Sequence, residues 1–549
     1  MGGLLLCLGV ALIWTSAQLH WHPTAELWHG FIFRDAGHVL TVADELLNGR
    51  TLFKDIFYQY GPLPAWFYAS IAAIFGNSPA TLLIMQQALS IVVAALAYRL
   101  LRSVLTQTQA ILFLIIGLFP LLLLPGSSLA DFSGLDYVSW ERILLLAIAL
   151  AWKPPHERTG WYAVTQGGLL GSLQLVKFGS AFIAGAALLL VDLLYLQEFA
   201  AERSGRRKWL TVNLALLAAF AVVEGGWIVA AFAMLPHQIA WDAIWPFFML
   251  QSYASYVIGI DRWPAWQNAG YFVVAQLPAI AALLLVAYST FGHVRRSTVG
   301  SVAAGDRSFG AFAFLAAFFL VGLTIYFQHV WHIYQYLWTI MLAACWGIRY
   351  ARLSVQVALL ALWLPAFMVS AKALLPRRPT PELVLETFPN GDRLWLEPKV
   401  QAQLAALREY LFTLRSAASD DVKVMLFPDA GGLHHFVKSP PQTRFFWFTG
   451  GLVRKSDEAQ FFRDFSDLDA IVVFFKQPRN RPPGADPVGW SRELFTMPAF
   501  GSELNQAMRS VLADPVRIDD QCWVFPVEPR GPGLKKRTRE DSNFKPSDP

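Results

Sequence analysis

The residues best placed to do chemistry are few, and each is set in an otherwise apolar chain. Asp35 stands in "FRDAG", about fifteen residues beyond the first apolar run. A carboxylate there can take a proton from an attacking hydroxyl, or it can cap the helix that begins near Ala36. Asp131 and Asp136 share "GSSLADFSGLDYVSW", a connector with two acids and no base. It could hold a divalent cation or a sugar, or it is a short polar link. Lys177 interrupts the apolar stretch Leu169–Leu190 at a turn. A charge in such a place is costly unless it meets a lipid phosphate or snorkels to the interface. His329 and His332 lie three apart in "FQHVWHIYQYLW". They could bind phosphate or metal, but with Trp331, Tyr334 and Tyr336 around them they also suit an interfacial aromatic belt. Asp55, beside Lys54, is a substrate contact or a turn residue. Asp44 and Glu45 read as the solvated face of a helix, and Glu141 and Arg142 as neighbours that pair with each other. His434 and His435 carry no role in this reading.

The elements that must position these groups are membrane segments. The 549 residues are 55% hydrophobic and only 15% charged, whereas soluble domains carry about 25% charged residues. A spanning helix needs roughly 20 mostly apolar residues. About eleven such runs can be read: Leu4–Leu19, Ala80–Leu101, Ala110–Leu124, Leu144–Trp152, Gly167–Val176, Ser180–Leu196, Leu210–Leu235, Ala269–Phe291, Phe309–Phe327, Gln335–Ile348 and Val355–Leu375. With the N-terminus cytoplasmic, the inside loops hold thirteen Lys and Arg between Arg99 and Arg352, against five outside: Arg34, Arg50, Lys54, Lys177 and Arg262. The positive-inside bias therefore puts the first loop, Lys177 and everything after Pro376 outside. The pI near 9 reflects membrane-surface charge rather than a nucleic-acid footprint. Cys7, Cys345 and Cys522 suggest neither a disulfide nor a metal site.

Within the first loop, Ala36–Leu47 carries Val39, Leu40, Ala43, Leu46 and Leu47 on one side and ends at Gly49, as an amphipathic interfacial helix does. Tyr60–Gly76 opens at a Gly-Pro break and reads as a second interfacial helix, so that the two form a platform facing lipid headgroups. Beyond residue 375 the composition turns soluble. Glu397–Ala417, Ser456–Phe465 and Ser502–Leu512 read as helices, and Val422–Phe427, Ala470–Phe475 and Cys522–Val527 as strands. The expected organisation is a transmembrane unit over 1–375, a small extracytoplasmic α/β domain over 376–527 and a disordered tail over 528–549.

The stretch "DAGHVLTVADELLNGRTLFKDIFYQYGPLPAWFYASIAAIFG" resembles the membrane-embedded type-C glycosyltransferases, in the branch of bacterial enzymes similar to dolichyl-phosphate-mannose protein mannosyltransferases and lipid A sugar transferases. "GSLQLVKFGSAFI", "FQHVWHIYQYLW" and "VMLFPDAGGLHHFVKSPPQTRF" echo the same family. The resemblance implies an all-helical polytopic enzyme of the cytoplasmic (inner) membrane. Such an enzyme moves a sugar from a polyprenyl-phosphate carrier to an extracytoplasmic glycan, glycolipid or protein, with membrane lipids and no nucleic acid as partners. It implies Asp35 as catalytic base. Asp55, Lys54, Tyr60, Asp136, Lys177, Arg262, His329 and His332 are the candidate substrate contacts, and Asp131 with Asp136 a possible divalent-cation site; no other cofactor is expected. Tyr60-Gly61-Pro62 stands where some members carry a lysine, so Lys54, Lys177 and Arg262 are the cations left to meet the donor phosphate. Two other classes remain: a transporter or flippase of lipid-linked saccharide, to which the mid-span Glu224 would belong, and a non-catalytic envelope-assembly protein.

Overall fold

The structure is a computed structural model that describes residues 32, 35–58, 60–114, 135–154, 157–194, 203–245, 282–287, 307–325, 330–348, 382–417, 423–427, 431–442, 444, 455–474, 510–513, 516–517 and 522–527. The apolar runs Leu4–Leu19 and Val355–Leu375 and the tail over 528–549 lie outside the described residues.

Two helices build the first loop, α1 (Asp35–Leu47) and α2 (Pro62–Phe75). Gly49 follows α1 at φ 84°, a conformation that glycine adopts without a Cβ clash. The bundle continues with α3 (Pro79–Leu101), α4 (Gln107–Leu112), α5 (Leu135–Ala151), α6 (Gly160–Gln174), α7 (Phe178–Leu194), α8 (Arg203–Met234), α9 (His237–Ile244), α10 (Arg307–Ile325) and α11 (Val330–Ile348). Nine of the eleven expected runs thus meet helix among the described residues, wholly or in part. Pro79–Leu101 and Arg207–Met234 are long and apolar enough to span a bilayer alone, and Phe178–Leu193, Ser308–Leu323 and Tyr336–Gly347 are shorter apolar helices. The outward faces are apolar: on α8, Val222 is 74% and Val229 71% exposed. A soluble protein buries such residues, and a lipid-facing helix leaves them out. The exterior is that of a polytopic membrane fold.

Small residues set the closest helix crossings. A Cβ at Gly167 would stand 2.3 Å from the Leu216 carbonyl oxygen, and one at Gly171 would stand 2.6 Å from Val223, so α6 lies directly on the backbone of α8. At the start of α6, Arg158 holds Asp192 at the end of α7 through two hydrogen bonds of 2.7 and 2.6 Å, both side chains buried. Lys177 follows the far end of α6, roughly 22 Å away at 1.5 Å rise per residue.

The described C-terminal residues form the expected strands and two of the three expected helices. A four-stranded sheet runs in the order β3-β4-β6-β5, from β3 (Val424–Phe427), β4 (Ala470–Phe474), β5 (Val516–Arg517) and β6 (Cys522–Pro526). The β3/β4 pair is parallel and the others antiparallel. The helices are α12 (Pro398–Ala417), α13 (Leu433–Phe436) and α14 (Lys455–Ser466). A hairpin of β1 (Val384–Thr387) and β2 (Arg393–Leu396), which turns at Asn390-Gly391, stands outside the expected strands. The helix expected over Ser502–Leu512 does not reach Leu512. That residue instead follows a turn at 510–511 and bridges Val527; residues 502–509 lie outside the described residues.

The platform expected from α1 and α2 is not an open one. Val39, Leu40, Ala43, Tyr68 and Leu82 share one continuous apolar core with Leu394, Leu404, Val424, Leu433 and Val524. The C-terminal α/β region therefore covers α1, and the apolar face expected to meet lipid headgroups is buried against protein.

Candidate functional site

The site grows from a backbone junction. Tyr60-Gly61-Pro62-Leu63 docks on the turn after α6: Gly61 N–H donates to the Val176 carbonyl at 3.0 Å and Leu63 N–H to the Leu175 carbonyl at 3.1 Å. A Cβ at Gly61 would stand 2.0 Å from the Leu175 oxygen, so only glycine allows this approach. The docked turn ends in Lys177, whose carbonyl accepts the first N–H bonds of α7 from Ser180 and Ala181, at 3.1 and 3.2 Å. Lys177 is thus held at the positive end of α7, a place that favours anions.

Four side chains from four elements close around this point. Lys177 Nζ donates to Tyr336 Oη at 3.0 Å and lies 3.5 Å from Glu141 Oε2. Tyr336 Oη donates to Glu141 Oε1 at 3.0 Å, and the Ser180 hydroxyl donates to the same oxygen. The ammonium also stands 5.4 Å from the ring centres of both Tyr137 and Tyr336, within cation–π range. Glu141 is 4% exposed and Lys177 13%. The result is a nearly closed polar nest in an apolar bundle, with one carboxylate held by a hydroxyl, a phenol and an ammonium.

A ladder of rings joins this nest to α1. Tyr60 stacks on Tyr137 with centroids 3.8 Å apart, Tyr58 meets Tyr60 edge-on at 5.6 Å, and His38 stacks on Tyr58 at 5.8 Å. His38 lies three residues beyond Asp35, in the first turn of α1. Burial holds its imidazole neutral, with a pKa near 3.

Among the expected site residues, the structure brings Lys177 and Tyr60 together through Tyr137. Asp35 is the first residue of α1 and Asp136 the second of α5; His332 is in the first turn of α11. The side chains of these three lie outside the described residues, as do Asp131, Arg262 and His329 altogether. Asp55 is a turn residue: its carboxylate accepts from Thr51 N–H at 2.8 Å. Lys54 beside it is exposed. Among the described residues, no group of three or more His, Cys, Asp or Glu converges as metal ligands do.

Three readings of single residues change. Glu141 feels the charge of its neighbour Arg142 as expected, and it also takes Ser180, Tyr336 and Lys177 as partners. Tyr336 is buried in the nest, not set in an aromatic belt. Asp44 and Glu45 are not a solvated face. Glu45 is buried and pairs with Arg50 at 2.8 Å, while Asp44 bonds Asn77 and His435. Tyr137, Glu141, Ser180 and His435 were missed as site residues. The one signal for Ser180 and Glu141 was a polar residue interrupting an apolar run, which Lys177 shared. Glu224 is buried and accepts from Gln174 at 3.2 Å, three residues before Lys177.

No protein-family model matches the chain, and no curated protein matches it. Among solved structures it is similar to ArnT from Cupriavidus metallidurans bound to undecaprenyl phosphate. That likeness has a TM-score of 0.37 and 11% sequence identity, over 95% of this chain and 98% of the other. The apo state of the same protein matches with a TM-score of 0.36 and 12% identity, over 95% and 97% of the two chains. This is a likeness of overall layout; it assigns neither a residue nor a reaction to this chain.

Proposed function

We propose that the chain is a glycosyltransferase of the cytoplasmic membrane, moving a sugar from a polyprenyl-phosphate carrier to an extracytoplasmic glycan, glycolipid or protein. Asp35 acts as base toward the acceptor hydroxyl, and Lys177 faces the carrier phosphate. The resemblance around "DAGHVLTVADELLNG" and "YGPLPAWFYA" supplies the reaction class. The single observation that supports the site is the docking of Tyr60–Leu63 on the turn that carries Lys177. It joins the loop opened by Asp35 to a fixed, half-buried cation at a helix N-terminus.

Chemically, the acceptor oxygen attacks the anomeric carbon while the bond to the phosphate oxygen breaks. The acceptor proton passes to a carboxylate. The departing polyprenyl phosphate gains negative charge, which a pre-positioned cation stabilises. Lys177 has three N–H donors, one of them given to Tyr336, while the Tyr336 and Ser180 hydroxyls donate to Glu141. In this reading Glu141 holds the lysine in place and marks a position already suited to an anionic oxygen.

The specific competitor is a purely structural ion pair between Lys177 and Glu141, favoured by the burial of both. The test is transfer by purified protein from a synthetic polyprenyl-phosphate sugar to envelope acceptors. Lys177→Ala should raise the donor KM, with Lys177→Arg keeping part of the affinity. Unchanged donor KM in folded Lys177→Ala leaves the structural pair as the explanation.

A further inference from the structure

His435 occupies an unusual position for a residue of the C-terminal α/β region. Its Nδ1 meets Asp44 Oδ2 of α1 at 2.5 Å, and its Nε2 meets Asp392 Oδ2 of the β1–β2 turn at 2.6 Å. The two partners lie on opposite sides of the ring, 391 and 43 residues away in sequence. Both carboxylates are themselves held. Asn77 donates to Asp44 Oδ1 at 2.6 Å and to the Leu40 carbonyl at 2.7 Å, and Tyr68 donates to Asn77 at 2.9 Å. Asn390 donates to Asp392 at 2.8 Å. The imidazole is 4% exposed.

The contact is one of several along the same seam. Thr41 Oγ1 donates to the Gly431 carbonyl at 2.6 Å, Arg50 to the Pro441 carbonyl at 2.7 Å, and Phe57 N–H to the Arg444 carbonyl at 2.9 Å. Segment 431–444 thus meets α1 and the chain after it at Gly431, His435, Pro441 and Arg444. His435 is the point where a charged group on that segment meets charged groups from both sides.

We propose that the Asp44–His435–Asp392 bridge is the tie that seats the C-terminal region on α1, and that His435 is a positioning residue for the site that α1 opens with Asp35. The second half of this statement rests on the transferase reading. His435 is not itself a catalytic residue: both ring nitrogens are taken, and no substrate atom can reach either.

The charge state supports the geometry. Burial lowers the affinity of the ring for its second proton, but hydrogen bonds and charge from Asp392 and Asp44 outweigh it and hold the pKa at about 9. The other groups facing this seam are Glu45 with Arg50 and Tyr68 on the α1–α2 side, and neutral His434 on the same helix as His435. A cation whose pKa is raised from 6.5 contributes fully below pH 6.5 and loses that contribution as pH rises through 9.

The test uses the full-length protein in detergent or nanodiscs, with His435→Gln and His435→Lys. Hydrogen exchange over 35–47 reports the seating, and transfer kinetics report the positioning. In His435→Gln, exchange over 35–47 should rise by about 10- to 100-fold at pH 7, the loss of a charge-assisted bond. The wild-type decline in protection between pH 6.5 and 9, after correction for intrinsic exchange, should vanish in that variant. Transfer should lose kcat with the donor KM unchanged, and His435→Lys should restore part of both. Unchanged protection in His435→Gln overturns the tie. Lost protection with wild-type kcat overturns the positioning role. A wild-type protein that transfers no sugar overturns the transferase reading instead, and the exchange measurement still decides the tie.

Discussion

Lys177→Met and Glu141→Gln, made singly and together, separate a fold-holding ion pair from a phosphate contact. Methionine keeps the length of the lysine stem and removes only the charged head. Glu141 Oε1 would still accept from Ser180 and Tyr336, but Oε2 would lose its ammonium at 3.5 Å. Breaking a buried pair costs about 3–5 kcal/mol because it strands a charge. The long Lys177–Glu141 separation and the two remaining donors argue for the lower end, about 3 kcal/mol. Glu141→Gln alone leaves Lys177 over two tyrosine rings, a contact of about 0.5–2 kcal/mol, so it should cost less. In the double variant no charge is stranded, and the two losses should fail to add by about 2 kcal/mol. Donor binding should behave otherwise. A lost bond between ammonium and phosphate, about 1.5–3 kcal/mol, raises donor KM roughly 10- to 150-fold. That increase should persist in the double variant, where stability has recovered. Thermal unfolding in detergent gives the first quantity and transfer from a purified lipid-linked sugar the second. A double variant with restored stability and wild-type donor KM would refute the assignment of Lys177 to the carrier phosphate.

Gly61→Ala should loosen the docked turn: two backbone hydrogen bonds, about 0.5–1.5 kcal/mol each, are lost as the Cβ forces the two turns apart. A lowered unfolding temperature together with a raised donor KM is the expected result. Asp35→Asn keeps the shape of the helix start but cannot take a proton, so transfer should fall about 10²–10⁴-fold while melting is unchanged. Acid should destabilise the protein through His38 and His434, whose burial lowers their pKa values to about 3 and 4. The unfolded chain binds protons at these residues from pH 6.5 downward and the folded one does not, so stability is lost as pH falls from 6.5 toward 4. A denaturant series over that range should show the loss, and His38→Gln should flatten part of it.

Much of the fold could be read from apolar runs. α12 appears where Leu404, Leu407 and Leu411 recur at helical spacing, and all three are buried. β3, β4 and β6 appear within a residue or two of their apolar stretches. The β1–β2 hairpin was legible too, since Asn390-Gly391 lies between short apolar strands, but its strands are only four residues each. The candidate site was half legible. Lys177 and Tyr60 stood out as a charge and an aromatic at breaks in apolar runs. Tyr336 and Glu141 did not, because a hydropathy pattern cannot say which side of a helix faces a neighbour and which faces lipid. Asp44 and Glu45 looked solvated for the same reason. Their partners, Arg50 apart, come from elsewhere in the chain, and periodicity within α1 carries no trace of them.

The seam between α1 and segment 431–444 also sets an order of assembly. Thr41, Asp44 and Arg50 leave the ribosome early, and their partners Gly431, His435 and Pro441 follow 390 or 391 residues later. At about 5–20 residues per second this is a delay of roughly 20–80 s. During it, most of the membrane helices can insert, while the first loop waits with Asp44 unneutralised and its apolar face bare. A chain cut short before residue 431 would therefore have most of its bundle and an unclosed first loop. Completion of a segment made late is the event that seals the first loop, so the loop that opens with Asp35 is finished only in a chain translated past residue 444.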